Sequence, residues 1–245
     1  MKINLSKFTL SAFAIISLLS IGSIGTASAI SKAKTAASSI GSSTSATQTA
    51  VQAIISKGDA EIERRLTTLN SLSSKISSSS KISAADKASL TDEVNSEISG
   101  LNSLKTTLDG STTIASAKAA AQSIFNDYRV YALIVPKISL MQATDNQQLV
   151  EARLATLETN LGTRINSTTN ASLQGDLASM ITDTQSAQAL SSSVETSVVG
   201  LQPSDYNSDH TLLIQYFTKL KTALADNQTA AQLGKTIVSS LTSSK

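Results

Sequence analysis

Asp205-Tyr-Asn207-Ser-Asp209 sets three oxygen-bearing side chains at alternate positions, the spacing that opens a calcium-binding loop. The pattern then departs from that loop. His210 stands where a glycine makes the turn, and Tyr216 stands where a bidentate glutamate closes the cage. The competing reading is a polar loop that feeds a helix, with Ser208 or Asp209 as its N-cap, and the residues favour the cap. His210 is the sole histidine of the chain and cysteine is absent. Asp209 and the many serines leave a Ser-His-Asp triad open by composition alone, but no G-x-S-x-G elbow accompanies it. A zinc site built on histidine needs more ligands of that type, and no glycine-rich phosphate loop is present. The expectation is therefore no catalytic, cofactor-binding or metal-binding residue, with His210 on the surface or in a loop. Asn166-Ser-Thr168, Asn170-Ala-Ser172 and Asn227-Gln-Thr229 match the N-x-S/T sequon, as chance allows in so Ser/Thr-rich a chain.

The chemically richest stretch is Ile124-Phe-Asn-Asp-Tyr-Arg-Val-Tyr-Ala-Leu-Ile-Val-Pro-Lys137. Arg129 offers a planar fork suited to a carboxylate, with Asp127, Asp145 and Asp205 as candidates. Lys137, next to Pro136, is expected in solvent. Beyond residue 29 the aromatics are Phe125, Tyr128, Tyr131, Tyr206, Tyr216 and Phe217, in two sequence clusters. A chain this poor in rings gains most by packing the clusters together. The alternative exposes them as a recognition face, where Tyr and Arg are common anchors. Tyr128, Arg129, Tyr131, Pro136, Lys137 and Tyr206 are thus candidates for an interaction site or a structural junction.

Helical rhythm positions these residues. Ile55, Ile62, Leu69 and Ile76 recur every seventh position, with Leu66 and Leu72 between them. Glu61 and Arg65 form an i,i+4 pair on the outer side. Ser83 with Asp86 signals a new helix entry, followed by Leu90, Val94, Ile98, Leu101, Leu104 and Leu108 up to Asp109-Gly110. Two such stripes joined by a serine turn predict an antiparallel, coiled-coil-like hairpin over 49–110. An alanine-rich helix is expected from Thr113 to Asp127. Val130 to Ile138 favours extended structure, and Pro136 disfavours α at Val135, so a kinked or extended connector is expected, with a short β-pair as alternative. Helices at about 143–166 and 171–199, a loop over 200–208 and a last helix from Ser208 or Asp209 complete a bundle over 111–245. The fold class is all-α and the expected form is elongated.

Residues 1–29 read as an export signal. Lys2 and Lys7 precede an apolar run, and Ala27-Ser28-Ala29 offers a small-x-small cleavage site. The mature chain is then expected to begin at Ile30, with 30–48 as a flexible Ser/Ala-rich leader and a weak N-terminal helix as the alternative. An uncleaved membrane anchor is the alternative; no later run has membrane length. The signal holds two of the 20 basic residues and none of the 18 acidic ones, so the mature chain is formally neutral. Nothing supplies the basic stripe that a nucleic-acid partner requires.

Asp59-Ala-Glu-Ile-Glu-Arg-Arg-Leu-Thr-Thr-Leu-Asn-Ser-Leu72, Asp127-Tyr-Arg-Val-Tyr-Ala-Leu-Ile-Val-Pro-Lys137 and Leu201-Gln-Pro-Ser-Asp-Tyr-Asn-Ser-Asp-His210 together resemble a group of secreted, cysteine-free, α-helical bacterial proteins of unknown function. The resemblance covers most of the mature chain. Similar proteins often carry Ala-Ala-Asp-Arg after the proline motif, where this chain has Gln142-Ala-Thr-Asp145. It implies bacterial export and a helical fold, and no catalytic residue. The combined expectation is a non-enzymatic structural or interaction protein of the cell surface or extracellular space, with a protein or cell-envelope partner or self-association. A ligand- or glycan-binding protein using Phe125–Tyr131 and Tyr206–Phe217 is the alternative.

Overall fold

A computed structural model describes residues 40–166 and 170–243, and these are all-α. The helices are α1 (Ile40–Ser78), α2 (Ala84–Asp109), α3 (Ile114–Asn126), α4 (Val135–Ile165), α5 (Ala171–Val199), α6 (Pro203–Ser208) and α7 (Leu212–Ser243), with a π turn at Val130–Ile134 leading into α4. Their starts follow capping chemistry. Ser83 accepts the Asp86 N–H, Thr113 and Ser116 form a reciprocal box, and Asn170 accepts the Leu173 N–H.

Helices α1, α2 and α3 pack on one another. Helices α1 and α2 run antiparallel: the Asp59–Lys105 ion pair lies at one level, and a Cβ added to Gly58 would meet Leu108. The sevenfold stripe Ile55, Ile62, Leu69 and Ile76 is buried against Leu90, Val94, Leu101 and Leu108. Each such side chain contributes about 1.5–3 kcal/mol. Ala117, Ala120 and Ile124 of α3 close this layer.

Helices α4, α5 and α7 form the second layer. Gln148–Glu195, Glu151–Ser191 and Glu158–Thr184 contacts run in opposite order along α4 and α5, so these helices are antiparallel. Small residues let α7 approach: Ala223, Ala230, Ala231 and Gly234 face inward, and a Cβ on Gly234 would lie 3.0 Å from Leu157. Close backbone approach replaces aromatic bulk here, which explains how so few rings suffice. The far end holds its own apolar cluster around Leu161, Met180 and Ile237. The near end, with Met141, Val194, Val198, Leu213 and Tyr216, is continuous with the core of α1–α3.

Several boundaries differ from those expected. The proposed leader is helical from Ile40, and its residues 30–39 lie outside the described residues, as does the signal 1–29. Helix α3 lies against α1 and α2. The connector through Pro136 is neither extended nor a β-pair, since α4 begins at Val135 with Pro136 in its first turn. The π turn runs straight into α4, so Pro136 sits in continuous helical backbone and forgoes an N–H at the point where the turn is widened. Pro203 likewise begins α6 inside the expected loop, and α7 starts at Leu212 instead of Ser208 or Asp209.

Candidate functional site

The segment 127–137 turns the chain from the first layer into the second. After α3 the Val130 N–H bonds to the Tyr128 carbonyl at 2.8 Å. The Ile134 N–H then reaches back five residues to Arg129 O at 3.2 Å, and the Val135 N–H to Val130 O. This widened turn immediately precedes Pro136, whose ring would crowd the carbonyl four residues earlier in a tight α-helix.

Four side chains reach from this segment to α1, α2 and α6. The Tyr128 ring lies over Gly100 of α2: a Cβ there would sit 2.5 Å from its Cε1 and 2.6 Å from its hydroxyl. Arg129 donates from Nε to Asn207 Oδ1 at 2.6 Å and lies 5.7 Å from the Tyr206 ring centre. Asn207 in turn donates to the Asn126 carbonyl at 2.9 Å. The Tyr131 hydroxyl donates to the Arg64 carbonyl on α1 at 3.2 Å and pairs with Thr68 Oγ1 at 3.1 Å. Lys137 donates to Glu93 Oε1 of α2 at 2.8 Å and to the Leu201 carbonyl at 3.1 Å.

Two expectations are corrected by these contacts. Lys137 is 1% exposed and ion-paired instead of lying in solvent, because α4 starts early enough to turn it towards α2. Arg129 takes the Asn207 amide and the Tyr206 ring instead of Asp127, Asp145 or Asp205. Asp205 is engaged elsewhere, accepting the Gln202 N–H at 2.8 Å.

The seam between α2 and α4 is rich in carboxyls. Burial, reinforced by the neighbouring Glu93, raises Glu97 to about 7, with Lys137 opposing. Its Oε2 is buried and has no hydrogen-bond partner among the described residues. At the start of α2, Asp145 Oδ2 accepts the Ser83 N–H at 3.1 Å, and the Asp86 carboxyl lies within hydrogen-bonding reach of Asp145. Both aspartates are buried, and burial together with Asp86 and Glu195 pushes Asp145 strongly upward. Across the second layer Glu151, accepting from Ser191 and Asn227, is also raised by burial.

On the outer side of α1, Arg65 is sandwiched between Phe125 and Tyr131, its Cζ 4.8 Å and 5.2 Å from the ring centres. Arg65 is 5% exposed and ion-paired to Glu61, so it is not the outward residue its spacing suggests. Phe125 and Tyr131 keep 48% and 41% of their surface exposed. Tyr216 is buried in the core, whereas Phe217 faces outward. The Asp205–Asp209 stretch is helix α6 and its end, where Asp209 Oδ1 takes the Thr211 N–H and hydroxyl. His210 meets Tyr206 edge-on at 5.2 Å. Among the described residues no group of three or more His, Cys, Asp or Glu side chains is placed to hold a metal ion. A cleft of about 640 Å³ lies elsewhere, lined by Thr47, Gln48, Val51 and Gln52 of α1 and by Asp109, Gly110, Ser111 and Thr112. Among the described residues no helix is long and apolar enough to cross a membrane.

No protein-family model matches the chain, and neither the curated proteins nor the solved structures contain a detectably similar one.

Sequence reasoning passed over Glu93, Glu97 and Gly100, and took Asn207 only as part of a calcium-loop spacing. One signal was present. Asp86, Glu93 and Gly100 fall seven apart, with Glu97 between the last two, so α2 carries a second, acidic stripe beside its leucines. Like charges four apart disfavour an isolated helix, which marks Glu93 and Glu97 as answering to something outside α2.

Proposed function

We propose that this chain is an exported, non-enzymatic helical protein, a structural or interaction module of the bacterial cell surface or extracellular space. One observation carries the reading: Tyr128, Arg129, Tyr131 and Lys137 each hold another part of the same chain. Side chains so engaged are organised for rigidity at a junction, and none is left converging on a cleft. Lys2, Lys7, the apolar run and Ala27-Ser28-Ala29 support export. The partner is a protein or an envelope component, or a second copy.

Expression of the full chain with a C-terminal tag in a bacterial host, followed by fractionation and mass analysis, tests the reading. Tagged protein outside the cytoplasm and beginning at Ile30 is the expected result. Cytoplasmic protein with an intact N-terminus would overturn it. A second reading, ligand or glycan binding at Phe125 and Tyr131, is favoured by their exposure on either side of Arg65. Glycan-array binding that Phe125→Ala abolishes, in a variant of unchanged stability, would establish it.

A further inference from the structure

The seam between α2 and α4 holds four carboxyls: Glu93 and Glu97 lie beside Lys137, and Asp86 and Asp145 lie together at the start of α2. Lys137 is committed to Glu93 and the Leu201 carbonyl. Among the described residues Glu97 therefore has no cation of its own, and its Oε2 is buried without a partner. Asp86 and Asp145 lie side by side, fixed from behind by Ser83, whose hydroxyl donates to Asp86 Oδ2 at 2.9 Å and whose N–H donates to Asp145. Two adjoining buried carboxyls hold together through a shared proton and repel once both are ionised.

We infer that this seam is a proton-operated latch between the two helical layers, closed while Glu97 and Asp145 hold their protons and loosened when they release them. The groups facing the latch act in one direction. Glu195 on α5 adds negative charge beside Asp145. Glu93 does so beside Glu97, while the Tyr128 hydroxyl there is itself held upward by burial and by Glu97. Lys137 alone opposes at the Glu97 end, and Lys81 and Lys87 bracket the Asp86 end in sequence. The latch does not depend on the proposed export. Met141, Val194 and Leu213 share the apolar core of the first layer, so release is expected to loosen the joint without separating the layers.

The absence of cysteine allows a direct measurement. Ser99→Cys on α2 and Ser139→Cys on α4, both exposed, take spin labels that report the distance across the seam; Thr67→Cys with Ser103→Cys reports the α1–α2 pair as reference. Between about pH 5.5 and about pH 8.5, which brackets the range where raised carboxyls titrate, the seam distance is expected to change from one narrow population to a broader, longer one. The reference distance should stay fixed. Glu97→Gln with Asp145→Asn, neutral stand-ins for the protonated groups, should keep the seam narrow at both values. Glu97→Gln alone should halve the response if the double variant does not fold. A wild-type seam distance that ignores pH overturns the latch, as does an unaltered response in these variants. Loss of the response in the exposed Glu63→Gln control overturns it too.

Discussion

Lys137 Nζ meets Glu93 Oε1 at 2.8 Å from a side chain that is 1% exposed. A buried pair is weak evidence of net stabilisation, but removing one partner strands the other. Lys137→Ala leaves Glu93 and the Leu201 carbonyl without their donor. It should cost about 3–5 kcal/mol, towards the lower figure because Glu93 keeps contact with water. Lys137→Met combined with Glu93→Gln should recover most of that loss. Urea unfolding followed by circular dichroism measures both; equal losses in the single and double variants would show that the pair is not the cause.

The Tyr128 ring fills the space that a side chain at Gly100 would need. Alanine there gains about 1 kcal/mol of helix propensity but places a methyl 2.5 Å from the ring. Overpacking of that kind costs about 1–3 kcal/mol, so Gly100→Ala should be neutral to destabilising in the wild type. In a Tyr128→Ala background the same change should stabilise. The reversal of sign in a double-mutant cycle is the test.

Arg65 is held by two rings and by Glu61. Lysine preserves the charge and loses the flat stacking surface, so Arg65→Lys should cost about 1–2 kcal/mol. Phe125→Leu should remove part of that difference. An Arg65→Lys variant as stable as wild type would reduce the sandwich to a coincidence of packing.

Stability should fall as pH rises from mildly acidic to neutral. Glu97 in the folded chain keeps its proton up to about 7, whereas its ordinary value is 4.5. Between these limits the folded state binds the extra proton, so stability declines with rising pH through that window and levels off above it. Asp145 and Glu151, both raised by burial, act in the same direction. Glu61 acts oppositely. Burial alone would raise it, but the hydrogen bonds from Arg65 and Arg64 bring it below 4.5, so its contribution is lost only in stronger acid. Denaturation midpoints should therefore peak on the acid side of neutrality, and Glu97→Gln should flatten the decline above the peak.

The sevenfold stripe of α1 and the Ser83 cap of α2 were legible because each rests on local spacing and local hydrogen bonds. So was the all-α class. Lys137 and Arg65 were misjudged for one reason: an isolated helix shows which residues share a face, but not which neighbour covers that face. The Arg129 partner was missed because a carboxylate was sought, and α6 had already committed Asp205 to capping. The π turn left no periodic trace, since five residues are too few to establish a period.

That turn also acts as a phase setting for the chain. Each residue of an α-helix advances the side chains by about 100°, so the one extra residue in the wide turn fixes the angular offset between Tyr131, which faces α1, and Lys137, which faces α2. Excising Ala132 alone would leave composition, charge and hydrophobicity almost unchanged, yet misalign every side chain beyond it relative to those before. Such a deletion should do far more damage than a substitution at an exposed site such as Glu63, and it makes this turn the place where the two layers agree on a common clock.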